Sequence, residues 1–399
     1  MRLLSIGTDR SLFEEGSAVH SRLLAQASLL DGMHVVVFSR AVHQLSETKI
    51  GERIIVTPTS TKRIPLVIRD AYRIGARILS AGGSWIVTAQ DPFETGLVAW
   101  ILSRKYKLPL HLQVHTDIGS KEWRTESLLN RVRGVVARFL LPRADAVRVV
   151  SERVATGVEK MGVPRSRIVV VPIHVPVEEF AQRKPAFDLH RSYPMASHIF
   201  LAVSRFAREK DIPMLLRAFA DARRQERDAL LLLVGSGPEK ERIALLARTL
   251  GLGESLRFVP WARDVASYYK TADTYLLSSR YEGWGMSVVE AMACGIPIIM
   301  TEVGCVGELV KDGENGLVVP VGDHEMLADA MLWIARHPKQ GKKLGEAGQR
   351  AVAHLATKEA SLELYKKSWD MAVRNFELHA DISTDRYDRS TTHSNRNSE

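Results

Sequence analysis

Short, unbroken apolar runs alternate with helix-length amphipathic segments along almost the whole chain, and this rhythm constrains the fold most strongly. In the first half the runs are Leu3–Gly7, His34–Phe38, Ile54–Thr57, Trp85–Ala89, Leu110–His115, Ala146–Val150 and Ile168–Val171. A strand with one wet face alternates apolar and polar residues, and several of these do not. Continuous runs are expected of parallel strands covered by helices on both faces. Helical patterns lie between them, as at Ala18–Leu30, Val67–Ser80 and Leu128–Leu140. A repeated β-α-β-α order predicts a doubly wound α/β domain.

The rhythm pauses once. Residues Pro172 to Ser197 hold Pro172, Pro176, Pro185 and Pro194 with no clear periodicity, which reads as an interdomain linker. The pattern restarts with Ile199–Val203, Ala229–Val234, Leu256–Val259, Thr274–Leu277, Pro297–Met300 and Gly316–Val319. A length of 399 residues also favours more than one domain. The expected architecture is two Rossmann-like domains, 1–182 and 198–357, joined by a linker at 183–197 and facing across a cleft where ligands bind. A helix at 358–378 follows. The polar tail 379–399 is expected to be disordered.

No stretch approaches the roughly 20 apolar residues that span a bilayer, and the N-terminus lacks a signal-peptide pattern. Two cysteines, Cys294 and Cys305, supply neither a disulfide framework nor a C-x-x-C metal motif. A cytoplasmic protein is expected. The net charge of +9 lies entirely within residues 1–190, which hold 27 Lys and Arg against 18 Asp and Glu. Such asymmetry suits an anionic substrate, an anionic lipid surface or nucleic acid, or reflects only solvated helix faces. No nucleic-acid-binding module is present, so nucleic acid is not expected as a partner.

The chemistry concentrates in Glu282-Gly283-Trp284-Gly285-Met286-Ser287-Val288-Val289-Glu290-Ala291-Met292-Ala293-Cys294-Gly295-Ile296-Pro297. Gly283 and Gly285 permit a tight turn after the strand Thr274–Leu277. A helix begins near Met286 and stops at Cys294-Gly295, with Gly295 as its cap. Such a turn aims free N–H groups and the positive end of a helix at an anion, such as a diphosphate. Glu290 lies about one turn inside the helix, where a carboxylate can accept hydrogen bonds from ribose hydroxyls. Glu282, before the turn, reaches a different part of the ligand.

This E-x7-E spacing, embedded in E-G-W-G-M-S-V-V-E-A-M-A-C-G-I-P, resembles the signature of glycosyltransferase family 4, the group 1 retaining enzymes with the GT-B fold. Val203-Ser204-Arg205-Phe206-Ala207-Arg208-Glu209-Lys210 is similar to the family's Arg and Lys five apart. Two fixed cations there would stabilise a leaving nucleoside diphosphate more in the transition state than in the ground state. Val234-Gly235-Ser236-Gly237-Pro238 matches a family turn that either passes near the nucleotide or simply closes a loop. The edge at Val259 and Trp261 contacts the nucleobase in the family; Trp261 would either stack on a base or pack in the core. Gln90-Asp91-Pro92-Phe93 and Gln113-Val114-His115-Thr116-Asp117 resemble a bacterial branch, in which the His sits near the donor sugar. Gly16 stands in the loop that the family makes Gly-rich near the donor phosphates. Ser17 replaces its usual neighbouring glycine, and Pro172-Ile173-His174-Val175-Pro176 departs from the family's P-N-G-V-D.

The resemblance implies a hexosyltransferase that retains configuration and uses a nucleotide-diphosphate sugar, without metal or other cofactor. Its implied catalytic residues are Arg205, Lys210, Glu282 and His115. Its implied donor-binding residues are Gly16, Arg205, Lys210, Val259, Trp261, Glu282, Gly283, Trp284, Gly285, Met286 and Glu290. The C-terminal helix would cross back onto the first domain, which would bind a glycan or lipid-linked acceptor of the cell envelope. Arg131, Arg133 and Arg138, beside Leu, Val and Phe on Leu128–Leu140, suit an anionic membrane surface, hence a peripheral position at the inner face of the membrane. A sugar-nucleotide epimerase, a phosphorylase and a decayed nucleotide-sugar-binding protein are the alternatives. A nicotinamide dehydrogenase would need G-x-G-x-x-G where the chain has Gly7-Thr8-Asp9-Arg10.

Overall fold

The computed structural model describes residues 1–63 and 65–394, and the side chains of these except Ala18, Pro65 and 380–394. The chain forms two compact units. One holds Met1–Gly119, Arg124–Pro172 and the C-terminal residues from Glu359; the other holds Ser120–Trp123 and Ile173–Lys358.

The first unit contains β1 (Arg2–Gly7), β2 (Gly32–Val37), β3 (Thr48–Ile50), β4 (Ile54–Pro58), β5 (Trp85–Ala89), β6 (Leu110–Val114), β7 (Ala146–Val149) and β8 (Ile168–Val170). They form one sheet in the order β3-β4-β2-β1-β5-β6-β7-β8. Every pair is parallel except β3 with β4. The sequence did not suggest β3. Three residues centred on an exposed Lys49 have no periodicity to read, and the strand exists because Gly51, at φ 58°, turns it back onto β4. The runs Val35–Val37 and Ala146–Val149 are fully buried, as two-sided coverage requires.

The C-terminal helix Lys358–Ser394 belongs to this unit. Its Trp369 is fully buried in a cluster with Leu12, Met33, Val35 and Ile86. Asn375 Nδ2 donates to the Asp145 carbonyl at 2.8 Å. The helix runs on past residue 378, where the composition suggested an unstructured tail. Residues 395–399 lie outside the described residues.

The second unit contains β9 (His198–Val203), β10 (Ala229–Val234), β11 (Leu256–Val259), β12 (Thr274–Leu277), β13 (Ile298–Thr301) and β14 (Leu317–Val319). All are parallel, in the order β11-β10-β9-β12-β13-β14. Phe200, Phe219, Leu231, Leu276 and Met331 are core members on one side of the sheet. The main segment of this unit begins at Ile173, so the expected linker is part of it. The segment carries helices Val177–Gln182 and Leu189–Ser192. It is pinned by Phe180 edge-on to Tyr269, by Phe187 edge-on to Tyr268 at 4.8 Å, and by Ala186 N donating to Ser267 Oγ at 2.8 Å. Helices of six and four residues are too short to show a period, so the prolines dominated the sequence pattern.

In a doubly wound sheet, ligands bind beyond the strand C-termini where the strand order reverses. In the second unit that point lies between β9 and β12, and in the first between β1 and β5. Among the described residues, no helix is long and apolar enough to cross a membrane.

Candidate functional site

The loops leaving β9 and β12 flank the switch point of the second sheet. The first contains Ser204 to Asp211 and leads into helix Ile212–Arg223. Buried Phe206 anchors it: its N–H donates to the Ser236 carbonyl at 2.8 Å, and its own carbonyl accepts from Glu239 N at 3.0 Å. The neighbouring turn must be glycine to come this close. A Cβ on Gly237 would stand 2.4 Å from the Phe206 carbonyl oxygen, and one on Gly235 2.0 Å from that of Ser204. The Gly235–Pro238 turn therefore acts as a buttress for the loop that carries Arg205 and Lys210. Gly235 N also donates to the Val259 carbonyl at 2.9 Å, tying in the end of β11. Val259 is half-buried. Trp261 lies just beyond it with 63% of its surface exposed, so it does not pack in the core.

The second loop is joined to the first. Ser278 Oγ donates to the Lys210 carbonyl and Arg280 N to the Glu209 carbonyl, each at 2.7 Å. Lys210 Nζ donates to Glu282 Oε1, which also accepts from Ser279 Oγ at 2.8 Å. The pair is largely shielded, with side chains 20% and 14% exposed. Arg205 differs: its side chain is 69% exposed and rests on Glu209 at 2.5 Å. The expected pair of fixed cations is thus one fixed lysine and one surface arginine. A long guanidinium side chain with a single partner keeps its reach and pays entropy when it binds.

Beyond Glu282 the backbone carries the site. Gly283, Trp284 and Gly285 are buried, so the Trp284 ring is a core element and only its main chain can meet a ligand. Its carbonyl accepts from Cys305 N at 3.0 Å, beneath Gly304, whose own Cβ would lie 2.5 Å from that oxygen. Gly285 adopts φ 100°, in the left-handed region, and begins helix Met286–Ala293. No side chain caps that helix. Val288 N donates to the Gly285 carbonyl at 3.0 Å, so the N–H groups of Met286 and Ser287, with the helix dipole, are the ones available to an anion. The helix ends at Gly295, φ 75°, as the sequence indicated.

Glu290 lies one turn into the helix. Burial pushes its carboxyl up to about 7, against a partly compensating hydrogen bond from Tyr269 Oη to Oε2 at 3.0 Å. Tyr269 is fully buried between Phe180 and Tyr275, and the Tyr275 hydroxyl donates to Ser287 Oγ at 2.7 Å. The sequence reading missed Tyr269, Ser278 and Ser279. The serines follow a strand directly, which is a readable signal, whereas a tyrosine on an apolar helix face carries none.

In the first unit, Gly16 adopts φ 77° and Ser17 caps helix Ala18–Ala27, accepting from His20 N at 3.1 Å. Ser17 thus supplies a cap in place of a second glycine. His115 is half-buried just after β6. Burial, with repulsion from Arg148, Arg22 and His111, holds its imidazole down at about 3, so the ring is neutral at neutral pH. Arg148, also missed from sequence, is fully buried. It donates to Gln113 Oε1 at 2.9 Å and to the Val171 carbonyl at 2.8 Å, and lies over the Tyr365 ring at 4.3 Å.

In the second unit the structure therefore brings Lys210, Glu282, Gly285 and Met286 to one switch point. That is an arrangement suited to an anion bearing hydroxyl groups. Residues 191–351 match the family model for glycosyl transferases group 1, and residues 15–174 match that for the glycosyl transferase 4-like domain. The chain belongs to the group 1 glycosyltransferases, in the family 4 class with the GT-B fold.

Among individual relatives, it is 29% identical to N-acetyl-alpha-D-glucosaminyl L-malate synthase of Bacillus anthracis over 240 residues, 60% of this chain and 62% of that one. It is 28% identical to the lipopolysaccharide core biosynthesis glycosyltransferase LpsE of Rhizobium meliloti over 172 residues, 43% of this chain and 49% of the relative. The matched segments thus span 49% to 62% of the length of these relatives. In fold it is similar to Anabaena HepE, solved with UDP and glucose, with a TM-score of 0.71 at 19% identity over 93% of this chain and 99% of that one.

Proposed function

We propose that the chain transfers a hexose-type sugar from a nucleotide-diphosphate donor to a glycan or lipid-linked acceptor, with retention of anomeric configuration. The observation that carries this reading is the Lys210–Glu282 pair set beside an uncapped helix N-terminus at the switch point. As the glycosidic bond breaks, negative charge grows on the departing diphosphate. Lys210 and the first turn of helix Met286–Ala293 meet that charge with donors already fixed in place, so little reorganisation opposes the step. Arg205 closes onto the diphosphate from the surface, exchanging Glu209 for phosphate. Glu290 accepts from the ribose hydroxyls, Trp261 offers a face to the base, and Glu282 orients Lys210. The backbone of Gly283 to Met286 lines the diphosphate and sugar. The neutral ring of His115, in the first unit, suits a hydrogen bond to a sugar hydroxyl without adding charge. Cations and helix dipole replace a divalent metal in this scheme, so a chelator should leave turnover unchanged.

Support for the acceptor class comes from LpsE, named for lipopolysaccharide core synthesis. The test is incubation with UDP-, GDP- and ADP-sugars. Nucleoside diphosphate release that depends on Lys210 is expected. Isomerised donor without transfer would favour an epimerase.

A peripheral position on the inner face of the membrane is part of the proposal. On helix Leu128–Leu140, Leu128, Val132, Val135 and Phe139 form an exposed stripe, with Val135 71% exposed, and Arg131 and Arg138 are exposed beside it. Arg133 does not join them, because it pairs with Glu94 at 3.0 Å. An apolar stripe flanked by cations fits an anionic bilayer. Binding to anionic vesicles should weaken with salt and be lost in Val132→Glu/Val135→Glu. Equal binding to neutral vesicles would refute it.

A further inference from the structure

The donor reading leaves Glu290 with a difficulty. A carboxyl this deeply placed gains little by ionising, yet only the ionised form can accept from two ribose hydroxyls while donating nothing. Something must both favour the carboxylate and fix which oxygen faces outward. The neighbouring elements show what does so. Tyr269, on helix Val265–Thr271, is fully buried and directs its hydroxyl at Oε2. The ring cannot swing away, because Phe180 stands edge-on to it at 6.3 Å and Tyr275 at 5.5 Å. Its helix is held in turn by Lys270 Nζ donating to the Ala181 carbonyl at 2.7 Å, and by the Ser267 hydroxyl accepting from Ala186 N. Cys294, one turn beyond Glu290, rests against the Phe180 carbonyl at 3.7 Å. The short helix Val177–Gln182 thus seals the back of the site and locks Tyr269 in one rotamer.

We propose that Tyr269 is a positioning residue that aims the Glu290 carboxylate, binding Oε2 from behind so that Oε1 is presented to the ribose hydroxyls of the donor. This rests on the donor reading above and extends it to a residue that touches no substrate. The titratable groups that interact with Glu290 are Tyr269, Tyr275 and Cys294, and Lys270 stands beside Cys294. Burial drives both tyrosines far upward and the Cys294 thiol up to about 12. Glu290 is therefore the group in this cluster that titrates near neutrality, and its protonation can be followed through binding.

The test measures affinity for UDP, GDP and ADP and for their 2′,3′-dideoxy counterparts in the wild type, Glu290→Gln, Tyr269→Phe and the double variant. Discrimination in favour of the ribose hydroxyls should fall roughly tenfold in each single variant, as expected for a charged hydrogen bond. The double variant should lose no more than Glu290→Gln alone. In the wild type, affinity should rise with pH through about 7, the Glu290 value. In Tyr269→Phe that rise should move to higher pH, because the donated hydrogen bond had favoured the ionised form. If Glu290→Gln abolishes discrimination while Tyr269→Phe keeps it, with the pH profile unmoved, Tyr269 is structural and the inference fails. If Glu290→Gln leaves discrimination intact, the ribose role of Glu290 fails first. Loss of thermal stability in Tyr269→Phe with normal discrimination also overturns the proposal.

Discussion

Lys210→Ala separates the catalytic account from a purely structural one. Lys210 is largely shielded and its ammonium is fixed by Glu282, so its loss has two consequences. The first is catalytic. Removing one preorganised donor from a site of developing charge costs about 3 to 4 kcal/mol, or roughly two to three orders of magnitude in turnover. The second is on stability. Glu282 keeps Ser279 as a partner at 2.8 Å but loses its counter-ion. For a fully buried pair that would cost about 3 to 5 kcal/mol. Partial exposure and the surviving hydrogen bond reduce it to roughly 1 to 2 kcal/mol, a few degrees in Tm for a unit of this size. Adding Glu282→Gln removes the stranded charge. The double variant should regain most of the lost Tm while its turnover stays depressed. Steady-state release of nucleoside diphosphate and calorimetry, run on the same preparations, read the two effects apart. Turnover in Lys210→Ala within about threefold of wild type would refute the reasoning, because a charge-stabilising role cannot be worth so little.

Three further outcomes are expected. Gly237→Ala should slow turnover by about a hundredfold with a modest fall in Tm, because its methyl would push the Phe206 carbonyl and displace the loop that holds Lys210; normal kinetics would show that the buttress is not needed. Trp261→Ala should leave Tm unchanged, since the ring is exposed, and should weaken nucleotide binding about tenfold or more if the ring stacks on the base. The third concerns pH and is read from denaturation midpoints. Glu290 titrates at about 7 in the fold against 4.5 unfolded, so its contribution is fully present below pH 4.5 and is lost as pH rises through 7. Wild type should lose up to about 3 kcal/mol between pH 4.5 and 8 from this group. Glu290→Gln should show a correspondingly smaller loss over that range.

Much of the fold was legible because parallel strands covered on both faces must be continuous apolar runs, and thirteen of the fourteen strands among the described residues arise from such runs, as at Leu3–Gly7, Ala229–Val234 and Thr274–Leu277. What escaped was set by single contacts. β3 depends on one glycine turn, and the two helices in the expected linker depend on Phe180 and Phe187. The same contrast holds at the site. Gly285 and Gly295 announced the helix between them, because left-handed backbone requires such residues. The inequality of Arg205 and Lys210 could not be read, since five residues of spacing say nothing about which cation finds Glu282 and which stays on the surface. Tyr269 was invisible for a related reason: its polar atom serves a partner 21 residues away.

The central claim is that the switch point of the second unit binds the diphosphate of a nucleotide sugar and stabilises its departure. The most direct measurement offers UDP-, GDP- and ADP-hexoses to wild type and Lys210→Ala, and follows both nucleoside diphosphate release and the anomeric configuration of the product. Release by the wild type from one donor class, with configuration retained and turnover lost in the variant, is the predicted result. Equal release by both proteins, or none by the wild type with any of the three, would contradict the claim.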